Sequence, residues 1–130
     1  MEAIILVGGL GTRLRPLTHT VPKPLLPLAT VPMVEHMISN LPEIFDTAIL
    51  AVKYGLNEME EYFKEKDVGK KVIIVPEDEP LGTGGAMRNC IDYVTGTTAV
   101  FNSDVVSSVD LNKMLEQHIK TKAKGTLALW

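Results

Sequence analysis

The sequence predicts an α/β fold: a mostly parallel sheet covered on both faces by helices, in a Rossmann-like three-layer arrangement. Two observations lead there. Short apolar runs alternate with segments of helical period along the whole 130-residue chain. The runs are almost continuously apolar, as suits strands buried on both faces, and helical crossovers between parallel strands are right-handed.

The elements follow in order. Ala3 to Val7 is the first strand. After a proline-rich loop, Thr30 is expected to cap a helix with Pro32 in its first turn. Met33, Met37, Ile38 and Leu41 share a face of that helix, and Pro42 ends it. Thr47 to Val52 is the second strand. Asn57 is expected to cap a helix reaching about Lys66, with Met59, Tyr62 and Phe63 inward and Glu58, Glu60, Glu61, Lys64 and Glu65 on a solvated face. Lys71 to Val75 is the third strand, followed by a polar turn from Pro76 to Gly85 and a helix from Ala86 to Tyr93. Thr98 to Phe101 is the fourth strand, leading into Asn102, Ser103 and Asp104. Asp110 caps a helix whose Leu111, Met114, Leu115 and Ile119 face inward, and Thr126 to Trp130 begins a fifth strand.

Composition narrows the function classes. With 45% hydrophobic and 22% charged residues the chain reads as one ordinary globular domain. A net charge of -3 leaves no electrostatic footprint for nucleic acid. No apolar run approaches membrane-spanning length, and the N-terminus lacks the features of a secretory signal. Cys90 is the single cysteine, so no internal disulfide forms, and its apolar context suits a buried, unreactive thiol. A cytoplasmic setting is expected. His19, His36 and His118 have no zinc-ligand spacing.

The chemistry concentrates in the loop after the first strand. Gly8, Gly9 and Gly11 strip side chains from a turn whose free N–H groups form an anion site. Arg13, Arg15 and Lys23 follow, and no carboxylate occurs between Ala3 and Val34. A locally basic, glycine-turned loop in an acidic chain points to a polyphosphate. Two common phosphate loops are excluded: the third glycine of a dinucleotide fingerprint is Leu14, and the spacing of a P-loop is absent. Pro16, Pro22, Pro24 and Pro27 forbid a regular helix here, so the loop is expected to stay extended.

The run Gly8-Gly9-Leu10-Gly11-Thr12-Arg13-Leu14-Arg15-Pro16-Leu17-Thr18, followed by Pro22-Lys23-Pro24-Leu25, resembles the signature of the sugar-1-phosphate nucleotidyltransferases, the nucleoside-diphosphate-sugar pyrophosphorylases. Pro80-Leu81-Gly82-Thr83-Gly84-Gly85 and Phe101-Asn102-Ser103-Asp104-Val105 resemble phrases of the members that form GDP-mannose, the mannose-1-phosphate guanylyltransferases, except that Gly84 stands where those have alanine. The resemblance implies their fold, the nucleotide-diphospho-sugar transferase type, with strand order third-second-first-fourth-fifth. The glycine loop and Asp104 then flank the crevice where strand order reverses. By position alone Asp104 serves equally well as a turn cap or as a Mg²⁺ ligand; the resemblance implies the metal. Glu77 is either an exposed turn acid or, as the resemblance implies, the reader of the base. An acceptor-only carboxylate matches the adjacent N–H donors of guanine and is repelled by the flanking carbonyls of uracil and thymine.

The implied reaction is attack by the phosphate of a sugar 1-phosphate, expected to be mannose 1-phosphate, on the α-phosphorus of a nucleoside triphosphate, expected to be GTP. Pyrophosphate leaves. The nucleophile is already ionised, so the protein's work is alignment and charge neutralisation. The resemblance gives Arg13 to the departing pyrophosphate, Lys23 to the α-phosphate, the backbone of Gly9 and Gly11 to the phosphate cradle, and Asp104 to Mg²⁺, with Thr12 among the nucleotide-binding residues. Leu6, Gly8, Glu77, Pro80 and Gly82 line base and ribose. Two alternatives stay open: a thymidylyl- or uridylyltransferase, and a non-catalytic homologue such as a regulatory or exchange-factor subunit. The family's sugar-contacting residues and second metal-binding aspartate have no counterpart in the chain, so it is expected to be the N-terminal, nucleotide-binding part of a truncated catalytic domain, with little transferase activity alone. Its apolar last strand favours association, as a homo-oligomer for example.

Overall fold

Every residue of Glu2–Val7 but the first is apolar, and the segment forms strand β1 at the centre of the molecule. The computed structural model describes residues 1–105 and 107–129. In chain order the other elements are β2 (Pro27–Leu28), β3 (Val31–Pro32), α1 (Met33–Ser39), β4 (Thr47–Val52), α2 (Leu56–Lys64), β5 (Lys71–Pro76), α3 (Gly82–Asn89), β6 (Ala99–Asn102) and α4 (Leu111–Thr121). The main sheet has the order β5-β4-β1-β6, and every pairing in it is parallel. This is the expected third-second-first-fourth order, with the reversal between β1 and β6.

Period-two alternation sends successive strand residues to opposite faces. One face carries Ala3, Ile5, Val7, Ala48, Leu50 and Val52, packed with Val34 and Ile38 of α1 and Met59 of α2. The other carries Ile4, Ile49, Ala51 and Val75, packed with Ala86 of α3 and with Cys90. Helices therefore cover both faces, as expected. Cys90 is fully buried, and burial pushes its thiol up to about 11, so it stays protonated and inert.

Several local expectations are corrected. The proline-rich loop is free of α-helix but not extended: it folds into three single 3-10 turns, Thr12–Leu14, Leu17–His19 and Lys23–Leu25. Such a turn needs only one i to i+3 bond, and the donors, Leu14, His19 and Leu25, are not prolines. Thr30 does not cap α1. It sits with Ala29 in the turn of the small β2–β3 hairpin, and α1 begins after Pro32. Asn57 lies inside α2, whose N-cap is Gly55. Helix α3 starts four residues earlier than expected and ends at Asn89, with a separate 3-10 turn at Ile91–Tyr93. Its glycines would disfavour a helix in isolation, but Ala86 dock it on the sheet, and a Cβ on Gly85 would lie 2.6 Å from Leu81 Cβ.

Asp110 caps α4 as expected, accepting from the N–H groups of Asn112 and Lys113 at 3.1 Å. Ile119, expected inward, is 63% exposed. The fifth strand does not form over the described residues from Thr126 to Leu129; Trp130 lies outside them. A strand needs a paired neighbour, whereas Thr126 Oγ1 is instead 2.9 Å from His118 Nδ1 on α4.

The loop after β1 is anchored to the loop after β4 through Pro22 and Gly55. Gly55 has φ 73°, and a Cβ there would sit 2.3 Å from Pro22 Cγ. Gly55→Ala is therefore expected to cost about 2–4 kcal/mol, combining left-handed strain with overpacking. Chemical denaturation measures it. Adding Pro22→Ala should return part of the loss, and no recovery in the double variant would show that the contact is not what Gly55 serves.

Candidate functional site

A cleft of about 350 Å³ opens at the carboxyl ends of the strands. Its position follows from the register. Val7 pairs with Val52, Val52 with Pro76, and Leu6 with Asn102. The chain continues in step a little further, since Glu77 N–H donates to Val52 O at 2.8 Å and Ser103 N–H to Leu6 O at 3.2 Å. One row past the strands thus reads Glu77, Lys53, Gly8, Asp104, and all four line the cleft. The row continues the face bearing Leu6, Ala51 and Val75, so the N-terminal turn of α3 closes over it with Gly82, Thr83 and Ala86. Adjacent strands lie ~4.8 Å apart, so the row separates Glu77 from Asp104 by three spacings, on the order of 14 Å.

The two ends differ in character. At the Asp104 end, Lys23 Nζ donates to Asp104 Oδ2 at 2.5 Å, across 81 residues of sequence. That hydrogen bond holds the Asp104 carboxyl below its ordinary value of 3.8, with burial opposing and the charges of Lys23 and Arg13 adding to the lowering. Pro24, buried beside Lys23, fixes the 3-10 turn that presents the lysine. The bare backbone of Gly8 and Gly9 lies alongside, with the Cβ position of Gly9 4.0 Å from Lys23 Cδ. At the other end Glu77 is half-buried, and the exposed Pro80 and Gly82 form the rim.

Of the sequence-predicted site residues, Leu6, Gly8, Gly9, Lys23, Glu77, Pro80, Gly82 and Asp104 come together in the cleft. Gly11, Thr12 and Arg13 do not line it. Gly11 has φ 63°, and a Cβ would meet Thr18 Cγ2 at 2.7 Å and Lys23 Cβ at 3.0 Å. Its carbonyl accepts from Thr18 Oγ1 at 2.8 Å and from Leu14 N–H at 2.9 Å. Gly11 therefore shapes the turn. Arg13 is exposed, with its charge acting on Asp104 from outside. Sequence reasoning missed Pro24, Lys53, Thr83, Ala86, Asn102 and Ser103. Lys53 carried a usable signal: it is the charged residue immediately after an apolar strand.

For Mg²⁺, which takes one or two carboxylates together with phosphate oxygens and water, Asp104 fits as the protein carboxylate at the Lys23 end of the cleft. Among the described residues no group of three or more His, Cys, Asp and Glu gathers into a cage. Nor, among them, is any helix long and apolar enough to cross a membrane.

A family model described as Nucleotidyl transferase matches residues 2–130. The chain belongs to the nucleotidyl transferase family. Within it, the mannose-1-phosphate guanylyltransferase of Mycobacterium tuberculosis (strain ATCC 25618 / H37Rv) is 40% identical over 132 residues, covering 99% of this chain and 37% of that protein. The D-glycero-alpha-D-manno-heptose 1-phosphate guanylyltransferase of Aneurinibacillus thermoaerophilus is 42% identical over 131 residues, covering 99% of this chain and 57% of that protein. This nucleotidyl transferase chain thus spans between 37% and 57% of the length of these two relatives. Among solved structures, HddC from Yersinia pseudotuberculosis complexed with GMP-PN matches with a TM-score of 0.76 at 31% identity, covering 91% of this chain and 54% of that one. The inositol-1-phosphate CTP transferase from T. maritima matches with a TM-score of 0.67 at 28% identity, covering 79% and 43%.

The Lys23–Asp104 pair gives a pH-dependent contribution to stability. Asp104 is lowered in the folded state, so the contribution is complete above the ordinary carboxylate value and is lost as pH falls through the lowered one. In metal-free buffer, the stability advantage of the wild type over Asp104→Asn should be present at pH 7 and shrink below about pH 4. Urea unfolding of both proteins across that range checks it. A difference independent of pH would mean that the pair contributes nothing through ionisation.

Proposed function

We propose that this nucleotidyl transferase chain binds a nucleoside triphosphate, GTP in preference to pyrimidine nucleotides. With it the protein transfers a guanylyl group to a sugar 1-phosphate, mannose 1-phosphate or a sugar of similar shape, releasing pyrophosphate. One observation carries the reading: a single cleft has an acceptor-only carboxylate, Glu77, at one end and Lys23, Asp104 and bare glycine backbone at the other. The ends are separated by a distance suited to a base and its phosphates. Guanylyltransferase relatives at about 40% identity across the chain, and a fold match to a structure complexed with GMP-PN, support the choice of base.

In this reading Glu77 accepts from the N–H groups of guanine, and Leu6, Pro80 and Gly82 flank base and ribose. Gly8 and Gly9 present backbone to the phosphates without obstruction. Lys23, detached from Asp104, places its ammonium on the α-phosphate, where negative charge concentrates as the sugar phosphate approaches. Arg13, exposed outside the cleft near Asp104, is assigned to the departing pyrophosphate. Asp104, relieved of Lys23, would hold Mg²⁺, which when bound supplies charge neutralisation to the phosphate oxygens. No proton has to be removed from the nucleophile, so positioning and charge account for the catalysis. A cytoplasmic setting, with its reduced thiols and supply of nucleotides, suits both the free Cys90 and this chemistry.

Isothermal calorimetry with GTP, dTTP and UTP in the presence of Mg²⁺ tests the binding half. GTP should bind at least about tenfold tighter, the scale of a hydrogen-bonded pair to a charged group, and Glu77→Gln should narrow the gap. A pyrimidine preference in the wild type would reject the base assignment. For the transfer half, Arg13→Ala in the intact enzyme should lower the rate of pyrophosphate release from GTP and mannose 1-phosphate by about 10²-fold or more. A rate close to wild type would remove Arg13 from the mechanism.

A further inference from the structure

Lys53 has no part in the phosphate loop, yet it lines the cleft beside Glu77. The two residues follow β4 and β5 at the same level, because Val52 pairs with Pro76. Both continue the sheet face that carries Ala51 and Val75, so the alternation points them to the same side, one strand spacing apart. On its other flank Lys53 meets Gly8, where a Cβ would lie 3.9 Å from Lys53 Cβ. The lysine is half-buried, and its ammonium rests 5.0 Å from the centre of the Tyr54 ring. Among the described residues no carboxylate forms an ion pair with it.

A lysine ammonium offers only donors, and a carboxylate offers only acceptors. Side by side, Lys53 and Glu77 present a donor next to an acceptor. The Watson–Crick edge of guanine presents the complement in the same sequence: the carbonyl oxygen O6, then N1–H, then the N2 amino group. We propose that Lys53 is a specificity-determining residue that donates to guanine O6 while Glu77 accepts from N1–H and the amino group; this rests on the guanine reading of Glu77 given above. The two residues divide the discrimination. Glu77 repels the second carbonyl of uracil and thymine. Lys53 rejects adenine, whose amino group at the O6 position meets a donor with a donor. The aromatic face of Tyr54 holds the Lys53 ammonium at the cleft's wall.

The test compares GTP with 6-thio-GTP, which keeps N1–H and the amino group but replaces O6 with a poorly accepting sulfur. Calorimetry is run on the wild-type chain and on Lys53→Met, which keeps most of the stem and loses the donor. The wild type should prefer GTP by about tenfold, the loss expected for one charge-assisted hydrogen bond. In Lys53→Met, GTP affinity should fall by about that factor and 6-thio-GTP affinity hardly change, erasing the preference. Lys53→Gln, which can still donate, should keep part of it. An equal loss for both nucleotides would assign Lys53 to the phosphates and overturn the proposal, as would an unchanged preference. A thermal melt of each variant separates these results from misfolding, and if Lys53→Met fails to fold, the Lys53→Gln result decides alone. Wild-type preference for a pyrimidine nucleotide would overturn the Glu77 reading as well. Guanine preference with no response to Lys53 substitution would overturn this inference only.

Discussion

Val7 faces Val52 across β1 and β4, and Val52 faces Pro76 across β4 and β5. The places of Gly8, Lys53 and Glu77 in the candidate site depend on those pairings, and that of Asp104 on the pairing of Leu6 with Asn102. Side-chain direction alternates with period two, so a slip of one residue in β4 would turn Lys53 away from the cleft and drive the buried Val52 out of its core. The core forbids that slip, because Leu50 and Val52 pack with Val34 and Met59 on one face and Ile49 and Ala51 pack with Ala86 on the other. Hydrophobic burial on both faces thus fixes, to within a residue, which polar groups emerge one position beyond the strands. The site's geometry is a by-product of the core's packing.

Electrostatics ties the two sides of that site together. The loop after β1 carries its cations without a carboxylate of its own, and in the folded chain Asp104 supplies one from the far side of the strand reversal. Lys23 and Asp104 therefore neutralise each other. The pair is partly exposed, with the aspartate side chain 42% accessible, so water and salt screen it and its dissolution costs little. In the proposed reading a phosphate would give Lys23 a better partner, and a divalent cation would give Asp104 one. Each exchange would free a group for the other ligand, so this one contact would couple nucleotide to metal binding. Arg13, exposed and outside the cleft, adds attraction without blocking entry.

Much of this was legible in residue order, and the exceptions have physical causes. The strands were readable because burial on both faces demands long apolar runs, and Thr47–Val52 admits hardly another interpretation. The glycine-rich basic loop was readable as a candidate site because glycine density and local charge are properties of contiguous residues. Helix starts were not: Thr30 and Asn57 are good caps in isolation, but hairpin closure took the first and the left-handed Gly55 under Pro22 displaced the second. The early start of α3 was hidden for a related reason, since tertiary docking of Ala86 overrides the poor propensity of its glycines. Ile119 and the segment from Thr126 are apolar enough to suit inward or paired positions, but polarity does not say whether a neighbour exists.

Lys53 marks the limit of reading motifs rather than sheets. It belongs to no signature, and beside Tyr54 and Gly55 it looks like an ordinary polar start to a loop. Its place becomes visible only when strand order is combined with register, which sets it between Glu77 and Gly8. The same construction applies to any parallel sheet of this kind. Strand interiors are committed to the core and cannot vary without loss of packing. The first positions past the strand ends are held almost as rigidly but face the ligand, so they can change chemistry at little structural cost. Specificity is therefore expected to be written in that row, with the loops beyond it supplying the charge common to all phosphate ligands.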